Sequence, residues 1–261
     1  MNYTGQLDLK EPVIENQAGA TGASPNGKHT ALLLSVVIPV FNEVLVLKSV
    51  VEGITSRISD MDDTYELILY ENGSTDGTLE LAHQLAEQYP QVVVFTSPKA
   101  SYGAAVKNGI LATRGEHIVV FNADFWDIPF LRKSRELLHQ YDMVIASKLH
   151  PDSEDNRPFV RRFITWGFNK LLQVLFGFAG SDTHGIKAFR RSKIIPIIEQ
   201  CVTDGEIFDT EVILRGERAG LKSVELPMTV EETRPSRYSL FARVPRTFRD
   251  LKTLYRALQS S

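Results

Sequence analysis

The chain has 261 residues, of which 43% are hydrophobic and 23% charged, and this composition excludes a wholly disordered protein and fits one large α/β domain. Its 29 Lys+Arg against 32 Asp+Glu give a formal net charge of −3, so no overall basic field indicates a nucleic-acid partner. The single cysteine, Cys201, excludes an internal disulfide and a thiolate-rich metal site and suits a reducing compartment.

The first part of the chain predicts a tail followed by alternating strands and helices. Residues 1–30 are rich in Gly, Ala, Asn and Ser and lack the apolar core of a signal peptide, which predicts a disordered tail. From Leu32 to Lys148, five apolar runs alternate with four helical stretches, and this predicts right-handed βαβ units and a mostly parallel sheet. The predicted strands are Leu34–Pro39, Tyr65–Tyr70, Val92–Thr96, His117–Phe121 and Met143–Ser147, and the predicted helices are Val44–Ile58, Thr78–Tyr89, Gly103–Thr113 and Phe130–Tyr141.

The pattern changes beyond Lys148, where residues 150–158 are polar and predict a loop. The next stretch, Phe159–Phe178, predicts a helix with too many polar residues to span a membrane. Two placements stay open for this helix: packed on the protein's own core, or lying on a bilayer with its cations among the headgroups. The remaining predicted elements are a short segment Ile186–Phe189, helices at Ile194–Gln200 and Phe208–Ala219, a strand at Lys222–Pro227 and a final helix from about Leu240.

Polar residues follow three of the predicted strands. Ligands of open α/β sheets bind outside the carboxyl ends of the strands, so we expect these residues to converge on one pocket. Phe41 suits stacking on a nucleobase and suits plain packing equally well, while Asn42 and Glu43 match the hydrogen-bonding edge of a base. The three segments are Pro39-Val40-Phe41-Asn42-Glu43, Glu71-Asn72-Gly73-Ser74-Thr75-Asp76-Gly77-Thr78 and Asn122-Ala123-Asp124-Phe125-Trp126-Asp127.

These segments, in this order, resemble the inverting family-2 glycosyltransferases, above all the dolichyl- or polyprenyl-phosphate mannosyl- and glucosyltransferases. The resemblance covers about Leu34 to Leu258 and includes Ser101-Tyr102-Gly103-Ala104-Ala105, the run from Ser181 to Arg191, and Arg234 to Tyr238. It implies the A-type glycosyltransferase fold, an α/β architecture with a Rossmann-like sheet flanked by helices, in a single catalytic domain at residues 31–230. It also implies transfer of a hexose from a nucleotide diphosphate-sugar to a polyprenyl phosphate. Residues 182–187 are more similar to the glucosyl members, but guanine and uracil both stay open as the base.

The resemblance implies a donor site that carries a divalent cation. The family usually has Asp-x-Asp after the fourth strand, where Mg²⁺ or Mn²⁺ bridges the donor phosphates. This chain has Asn122-Ala123-Asp124 there, so the expected metal ligands are Asp124, Asn122 and Asp127, with lower affinity because the Asn122 oxygen is neutral. The expected donor-binding residues are Pro39, Phe41, Asn42, Glu43, Glu71, Asn72, Gly103, Asn122, Ala123 and Asp124.

The acceptor side is expected to be cationic. A phosphate acceptor is already anionic at neutral pH, so it needs cations rather than a strong base. The resemblance places Lys148 and Arg234 with Asp124 as catalytic residues. It places Arg161, Arg162 and Arg237 at the acceptor phosphate.

Two rival functions stay open. One is a family-2 transferase with a hydroxyl acceptor, for which Asp209 is the candidate base. The other is a non-catalytic glycosyltransferase-like binding subunit, in which Asn72 and Asn122 have replaced carboxylates that turnover requires.

Residues 231–261 predict a basic amphipathic helix. Its apolar stripe either packs on the catalytic domain or contacts anionic lipid, and the lipid acceptor favours the second. We therefore expect a cytoplasmic protein that is peripheral at the membrane face, with a membrane-protein partner left open. The stripe is Phe241, Val244, Phe248, Leu251, Tyr255 and Leu258, and the cations are Arg243, Arg246, Arg249, Lys252 and Arg256.

Overall fold

The computed structural model describes residues 33–61, 64–231 and 240–259, with side chains in the last range from residue 249 onwards. The predicted tail at residues 1–30 and the candidate cations Arg234 and Arg237 lie outside the described residues.

The described chain forms nine strands and eight helices. The strands are β1 Leu34–Val40, β2 Tyr65–Glu71, β3 Val92–Thr96, β4 His117–Val120, β5 Met143–Ser147, β6 Glu154–Asp155, β7 Lys187–Arg190, β8 Ser223–Pro227 and β9 Thr229–Val230. The helices are α1 Leu47–Ile58, α2 Thr78–Gln88, α3 Tyr102–Leu111, α4 Ile128–Leu137, α5 Phe159–Phe176, α6 Arg191–Gln200, α7 Phe208–Arg218 and α8 Leu240–Gln259.

Seven strands form one sheet in the order β3-β2-β1-β4-β7-β5-β8, and β6 pairs with β9 separately. Every neighbouring pair in the large sheet is parallel except those of β7, which is antiparallel to both β4 and β5. The predicted mostly parallel sheet with flanking helices is confirmed. The chain builds outward from β1 to β3 and then places β4 on the other side of β1, so the strand order reverses between β1 and β4.

The sheet is buried on both faces because successive residues of its central strands enter different hydrophobic clusters. In β1, Val36 and Ile38 join one cluster while Val37 joins the other. Residues of α1, α2 and α4 complete the first cluster, and residues of α3, α6 and α7 complete the second. Each fully buried aliphatic side chain contributes about 1.5–3 kcal/mol. The continuous apolar runs of the sequence follow from this two-sided burial.

Local chemistry sets the ends of two helices. The Asp127 carboxylate accepts a hydrogen bond from the Phe130 N–H at 3.0 Å, and α4 therefore begins two residues earlier than predicted. Helix α5 ends at Phe176 because Gly177 adopts a left-handed conformation with φ 71°. The two-residue strands β6 and β9 are too short for a periodicity to predict.

The last turns of α8 pack on the domain. Leu251, Leu254 and Leu258 are buried in the second cluster. The guanidinium groups of Arg215 and Arg218 donate to the carbonyls of Ala257 and Leu258. For this part of the stripe the packing alternative therefore holds, whereas the side chains of Phe241, Val244 and Phe248 lie outside the described residues. Over the described residues, no helix has the length and apolarity needed to cross a bilayer.

Candidate active site

The candidate site lies where the strand order reverses. The carboxyl ends of β1 and β4 are neighbours there, and β2 lies beside β1. An open α/β sheet binds ligands at such a point because the loops that leave the two strands diverge and leave a crevice. The three polar segments predicted from the sequence therefore meet at one edge of the sheet.

The loops that follow β1 and β2 are joined by hydrogen bonds. Asn42 has a φ of 53°, a left-handed conformation that Asn tolerates better than most residues. Its backbone N–H donates to Ser74 Oγ at 2.9 Å, and its Oδ1 accepts from the Thr75 N–H at 2.9 Å. The Glu43 N–H donates to Thr78 Oγ1 at 2.9 Å. Asn42 thus holds the two loops together, with Phe41 exposed beside it.

Glu71 and Asn72 at the end of β2 are also held by neighbouring segments. Glu71 is buried, and its two oxygens accept from the Ser74 N–H at 2.5 Å and the Thr96 hydroxyl at 2.7 Å. Burial raises the pKa of Glu71, but these hydrogen bonds more than reverse the effect and hold it below its usual value. Asn72 Oδ1 accepts from the Ser101 N–H at 2.9 Å. Both predicted donor-binding residues maintain the shape of the site.

Gly103 is required by close packing at the start of α3. A Cβ at this position would lie 2.6 Å from the carbonyl oxygen of Asp204 and from the Cβ of Phe208. The absence of a side chain therefore lets α3 approach the segment that leads into α7. The two remaining donor-site candidates differ in burial, since Pro39 is half-buried within β1 and Ala123 is buried after β4.

The turn after β4 presents two polar side chains that make no hydrogen bond or ion pair with the described residues. Asn122 and Phe125 exchange backbone hydrogen bonds of 3.1 and 3.2 Å, which places Ala123 and Asp124 at the tip of a tight turn. Asp124 is exposed and Asn122 half-buried. Among the described residues, neither side chain has a hydrogen-bond or ion-pair partner. This turn therefore differs from the hydrogen-bonded loops after β1 and β2.

Asp127, the third predicted metal ligand, is already engaged through one of its oxygens. It caps α4, and it lines a depression of about 580 Å³ together with Arg57 and Trp126. No group of three His, Cys, Asp or Glu side chains within the described ranges could hold a metal ion. The residues present fit a cation that takes one carboxylate and one amide oxygen from the protein and its other ligands from a donor's phosphates, as Mg²⁺ commonly does.

Lys148 forms a buried ion pair instead of standing free. Its ammonium lies 2.7 Å from Asp182 Oδ2, and its backbone N–H donates to the same oxygen at 3.1 Å. The His184 N–H donates to Asp182 Oδ1 at 3.0 Å. Burial raises the pKa of Asp182, but the positive charge of Lys148 and these hydrogen bonds outweigh it and lower the pKa to about 2. Asp182 thus positions the predicted catalytic cation.

Asp209, the predicted base for a hydroxyl acceptor, is engaged by two groups. Its Oδ2 lies 3.0 Å from the Lys187 ammonium and accepts from the Tyr102 hydroxyl at 3.1 Å. Lys187 is buried and also donates to the Gly185 carbonyl at 2.7 Å. Burial and the charge of Asp209 raise the pKa of Tyr102 well above its usual value. The Oδ2 of Asp209 is thus held by a cation and a hydroxyl.

The structure also brings His184, within the run from Ser181 to Arg191, to the site beside Asp182. Its side chain is exposed, yet protein groups crowd round the ring, and this desolvation lowers the pKa of His184 against the opposing charges of Asp209 and Asp182. The ring meets the edge of Phe168 from α5, with centroids 5.3 Å apart. The lowered pKa favours the neutral imidazole.

Lys187 and Tyr102 were missed as well. A lysine inside the apolar run Ile186-Lys187-Ala188-Phe189 was the available signal, since a buried ammonium needs a carboxylate partner. Of the predicted acceptor cations, Arg161 and Arg162 lie on the first turn of α5, and Arg162 is exposed.

Comparisons with known proteins place the chain in a family. It is 27% identical over 233 residues to glycosyltransferase AglD of Haloferax volcanii, covering 85% of this chain and 36% of that protein. It is 27% identical over 233 residues to dolichyl-phosphate beta-glucosyltransferase ALG5C of Trichomonas vaginalis, covering 83% of this chain and 68% of that protein. The dolichyl-phosphate beta-glucosyltransferase of Dictyostelium discoideum is 24% identical over 81% of this chain and 70% of its own length.

The fold is shared with a solved glycosyltransferase. Glucosyl-3-phosphoglycerate synthase from Mycobacterium tuberculosis, solved with Mn²⁺, UDP and glucosyl-3-phosphoglycerate, superposes with a TM-score of 0.59 at 19% identity, covering 85% of this chain and 79% of that one. The expected A-type glycosyltransferase fold is therefore confirmed. Residues 35–197 match the family model described as glycosyl transferase family 2. This match spans more than half of the sequence, and the chain belongs to glycosyltransferase family 2.

Proposed function

We propose that this protein transfers a hexose from a nucleotide diphosphate-sugar to a polyprenyl phosphate, with inversion at the anomeric carbon. The observation that carries the proposal is the turn after β4, which presents the exposed Asp124 carboxylate, without a protein partner among the described residues, where the strand order reverses. The names of the two dolichyl-phosphate beta-glucosyltransferases support the acceptor class. They also favour glucose over mannose, and the UDP-glucose complex of the mycobacterial synthase supports a uridine donor.

The donor is expected to enter between the loops after β1 and β2 and the turn after β4. Phe41 is exposed at the rim, where its ring suits stacking on the base. Asn122 and Asp124 would hold Mg²⁺ or Mn²⁺, which when bound neutralises the charge of the departing nucleoside diphosphate. Complexes of the mycobacterial synthase with Mn²⁺ and with Mg²⁺ support a divalent cation.

The acceptor requires orientation rather than deprotonation. A phosphate monoester is already anionic at neutral pH, so its oxygen attacks the anomeric carbon as the bond to the diphosphate breaks. Lys148, oriented by Asp182, and the exposed Arg162 are the described cations that we assign to the acceptor side. The engagement of Asp209 by Lys187 and Tyr102 disfavours the rival hydroxyl acceptor, which needs a free base.

The proposed working location is the cytoplasmic face of a membrane. A polyprenyl phosphate is anchored in the bilayer, so the enzyme must work at its surface. A membrane-protein partner that recruits the chain is compatible with this location.

Calorimetric titration of the purified chain with UDP-glucose and GDP-mannose, with and without Mn²⁺, tests the proposal. We expect Mn²⁺-dependent binding of UDP-glucose that is lost in Asp124→Ala. Glu87→Ala, which removes an exposed carboxylate from α2, is the matched control and should bind normally. Transfer from UDP-[14C]glucose to polyprenyl phosphate then follows by organic extraction.

The outcomes separate the rivals. Donor binding without transfer to any acceptor would indicate the non-catalytic binding subunit. Transfer to a hydroxyl acceptor that is lost in Asp209→Asn would favour the rival function, a transferase with a hydroxyl acceptor and Asp209 as the base. Binding of neither donor under any metal condition would overturn the proposal.

A further inference from the structure

Helix α5 carries the densest group of exposed apolar side chains in the described structure. Its first half presents Phe159, Phe163 and Trp166, which are 76%, 57% and 49% exposed. Val160 and Ile164 are exposed between them. We call these five residues the α5 apolar surface. Single exposed hydrophobic residues are ordinary, but a contiguous group of this kind marks an interaction site.

The aromatic residues of this surface form a continuous row. The rings of Phe159 and Phe163 stack with centroids 6.4 Å apart, and those of Phe163 and Trp166 stack at 5.8 Å. The second half of the same helix is anchored, since Asn169 and Leu172 are buried and Phe176 contacts Tyr255 of α8. The second half of α5 therefore attaches the helix to the core, with Val174 and Leu175 also exposed there, and the aromatic row stays outside.

The charge around this surface indicates what covers it. Between Asp155 and Asp182 the chain has no acidic residue and four cations, Arg157, Arg161, Arg162 and Lys170, of which Arg157 is paired with Asp155. Arg162 and Lys170 are exposed. The whole chain has a net charge of −3, so this segment is positively charged although the protein as a whole is negative. A second copy of the same protein would bring the same cations against these, whereas an anionic bilayer complements them.

Helix α5 also borders the candidate active site. Phe168, on the opposite side of the helix from Trp166, contacts the ring of His184. Arg162, which we assign to the acceptor phosphate, is on the same helix between Phe159 and Phe163. A bilayer that covers the aromatic row would therefore present a lipid phosphate to the acceptor side.

We propose that the α5 apolar surface is the membrane-contact surface of this protein, with Phe159, Phe163 and Trp166 inserted among the acyl chains at the interface and the neighbouring cations among anionic headgroups. This inference rests on the proposed function for the biological role of the contact. It assigns membrane contact to α5, whereas the last turns of α8 pack their apolar residues in the core. Trp and Phe beside cations on one side of a helix are typical of membrane interfaces.

Tryptophan fluorescence of the full chain provides a direct test, because the chain has two tryptophans, Trp126 and Trp166. The variant Trp126→Phe leaves Trp166 as the single reporter. With vesicles that contain about one-third phosphatidylglycerol in phosphatidylcholine, we expect its emission to shift to the blue and to be quenched by lipids brominated on the acyl chains. With phosphatidylcholine alone, binding should be roughly tenfold weaker, and only the binding to the anionic vesicles should weaken with salt.

Matched variants test the surface itself. Phe163→Ser combined with Trp166→Ser should reduce co-sedimentation with the anionic vesicles by roughly tenfold or more. Val202→Ser, which removes an exposed apolar side chain from the α6–α7 connection, should have no effect. Equal binding by the double variant and the control would overturn the inference. So would a Trp166 emission that is already blue without vesicles, together with a dimer by light scattering.

Donor calorimetry keeps this test separate from the proposed function. If UDP-glucose binds but the vesicles do not, the membrane-contact inference fails alone. If the vesicles bind through α5 but neither donor does, the proposed transferase activity fails and the membrane-contact surface stands.

Discussion

Polar side chains at the same edge of the sheet are used in two opposite ways. In the loops after β1 and β2, Asn42, Glu71 and Asn72 each accept a hydrogen bond from a backbone N–H, which for Asn42 and Asn72 belongs to another segment. In the turn after β4, Asn122 and Asp124 have no such partner among the described residues. A group that the protein already satisfies fixes geometry, whereas an exposed and unsatisfied group is available to a ligand. The comparison therefore indicates that the loops after β1 and β2 fix the geometry of the site, whereas the turn after β4 contacts the ligand.

The largest expected effect is at the turn after β4. Asp124→Asn keeps the size of the side chain and removes its charge. We expect kcat/KM for transfer to fall by about 10³-fold, equivalent to about 4 kcal/mol. Thermal unfolding should be unchanged, because the carboxylate is exposed and has no hydrogen-bond or ion-pair partner in the described structure. A lowered melting temperature in this variant would show that Asp124 also stabilises the fold. The distinction between a structural region and a ligand-binding region would then be wrong.

Glu71→Ala tests the hydrogen-bonded region. The change leaves the Ser74 N–H and the Thr96 hydroxyl without their buried acceptor, so we expect the free energy of unfolding to fall by about 2–3 kcal/mol. Urea unfolding measures this loss. Glu71→Gln, which keeps one acceptor oxygen, should lose less. Normal stability combined with loss of donor binding would instead make Glu71 a ligand-contacting residue.

Acid stability should reveal the buried pair of Asp182 and Lys148. The folded-state pKa of Asp182 is about 2, lowered from 3.8, so its charge stabilises the folded state above about pH 4. That contribution of about 2 kcal/mol is lost as the pH falls towards 2. Urea unfolding at a series of pH values should show it. Asp182→Asn should flatten the profile in this window, and an unchanged slope would contradict the assigned pair.

The sequence predicted the bounds of the strands better than their neighbours in the sheet. The bounds of β3 and β5 agree with the structure because each is an apolar run that ends at a polar residue. The run Ile186–Phe189 was recognised as a short segment, but its antiparallel place between β4 and β5 was not. Periodicity reports burial on a face and carries no information on which strand is the neighbour.

The same limit applies to the candidate site. Residue types and their order indicated the β1, β2 and β4 ends correctly as one edge of the sheet. They did not indicate that Asp127 caps α4, or that Lys187 holds Asp209 from 22 positions away. Whether a polar side chain is available to a ligand depends on contacts between distant segments, and these exist only in the folded chain.

Asn122→Asp is expected to have the smallest effect and sharpens the comparison most. It adds a second carboxylate to the turn after β4, so Mn²⁺ affinity in the presence of UDP should rise by about tenfold, or about 1.4 kcal/mol. Asn156→Asp, which adds a carboxylate at an exposed position before α5, is the control for net charge. Calorimetry with Mn²⁺ measures both variants. A higher Mn²⁺ affinity in Asn122→Asp alone would show that the turn itself binds the cation. Equal increases in both variants would show only an effect of long-range charge and would contradict a metal site at Asp124.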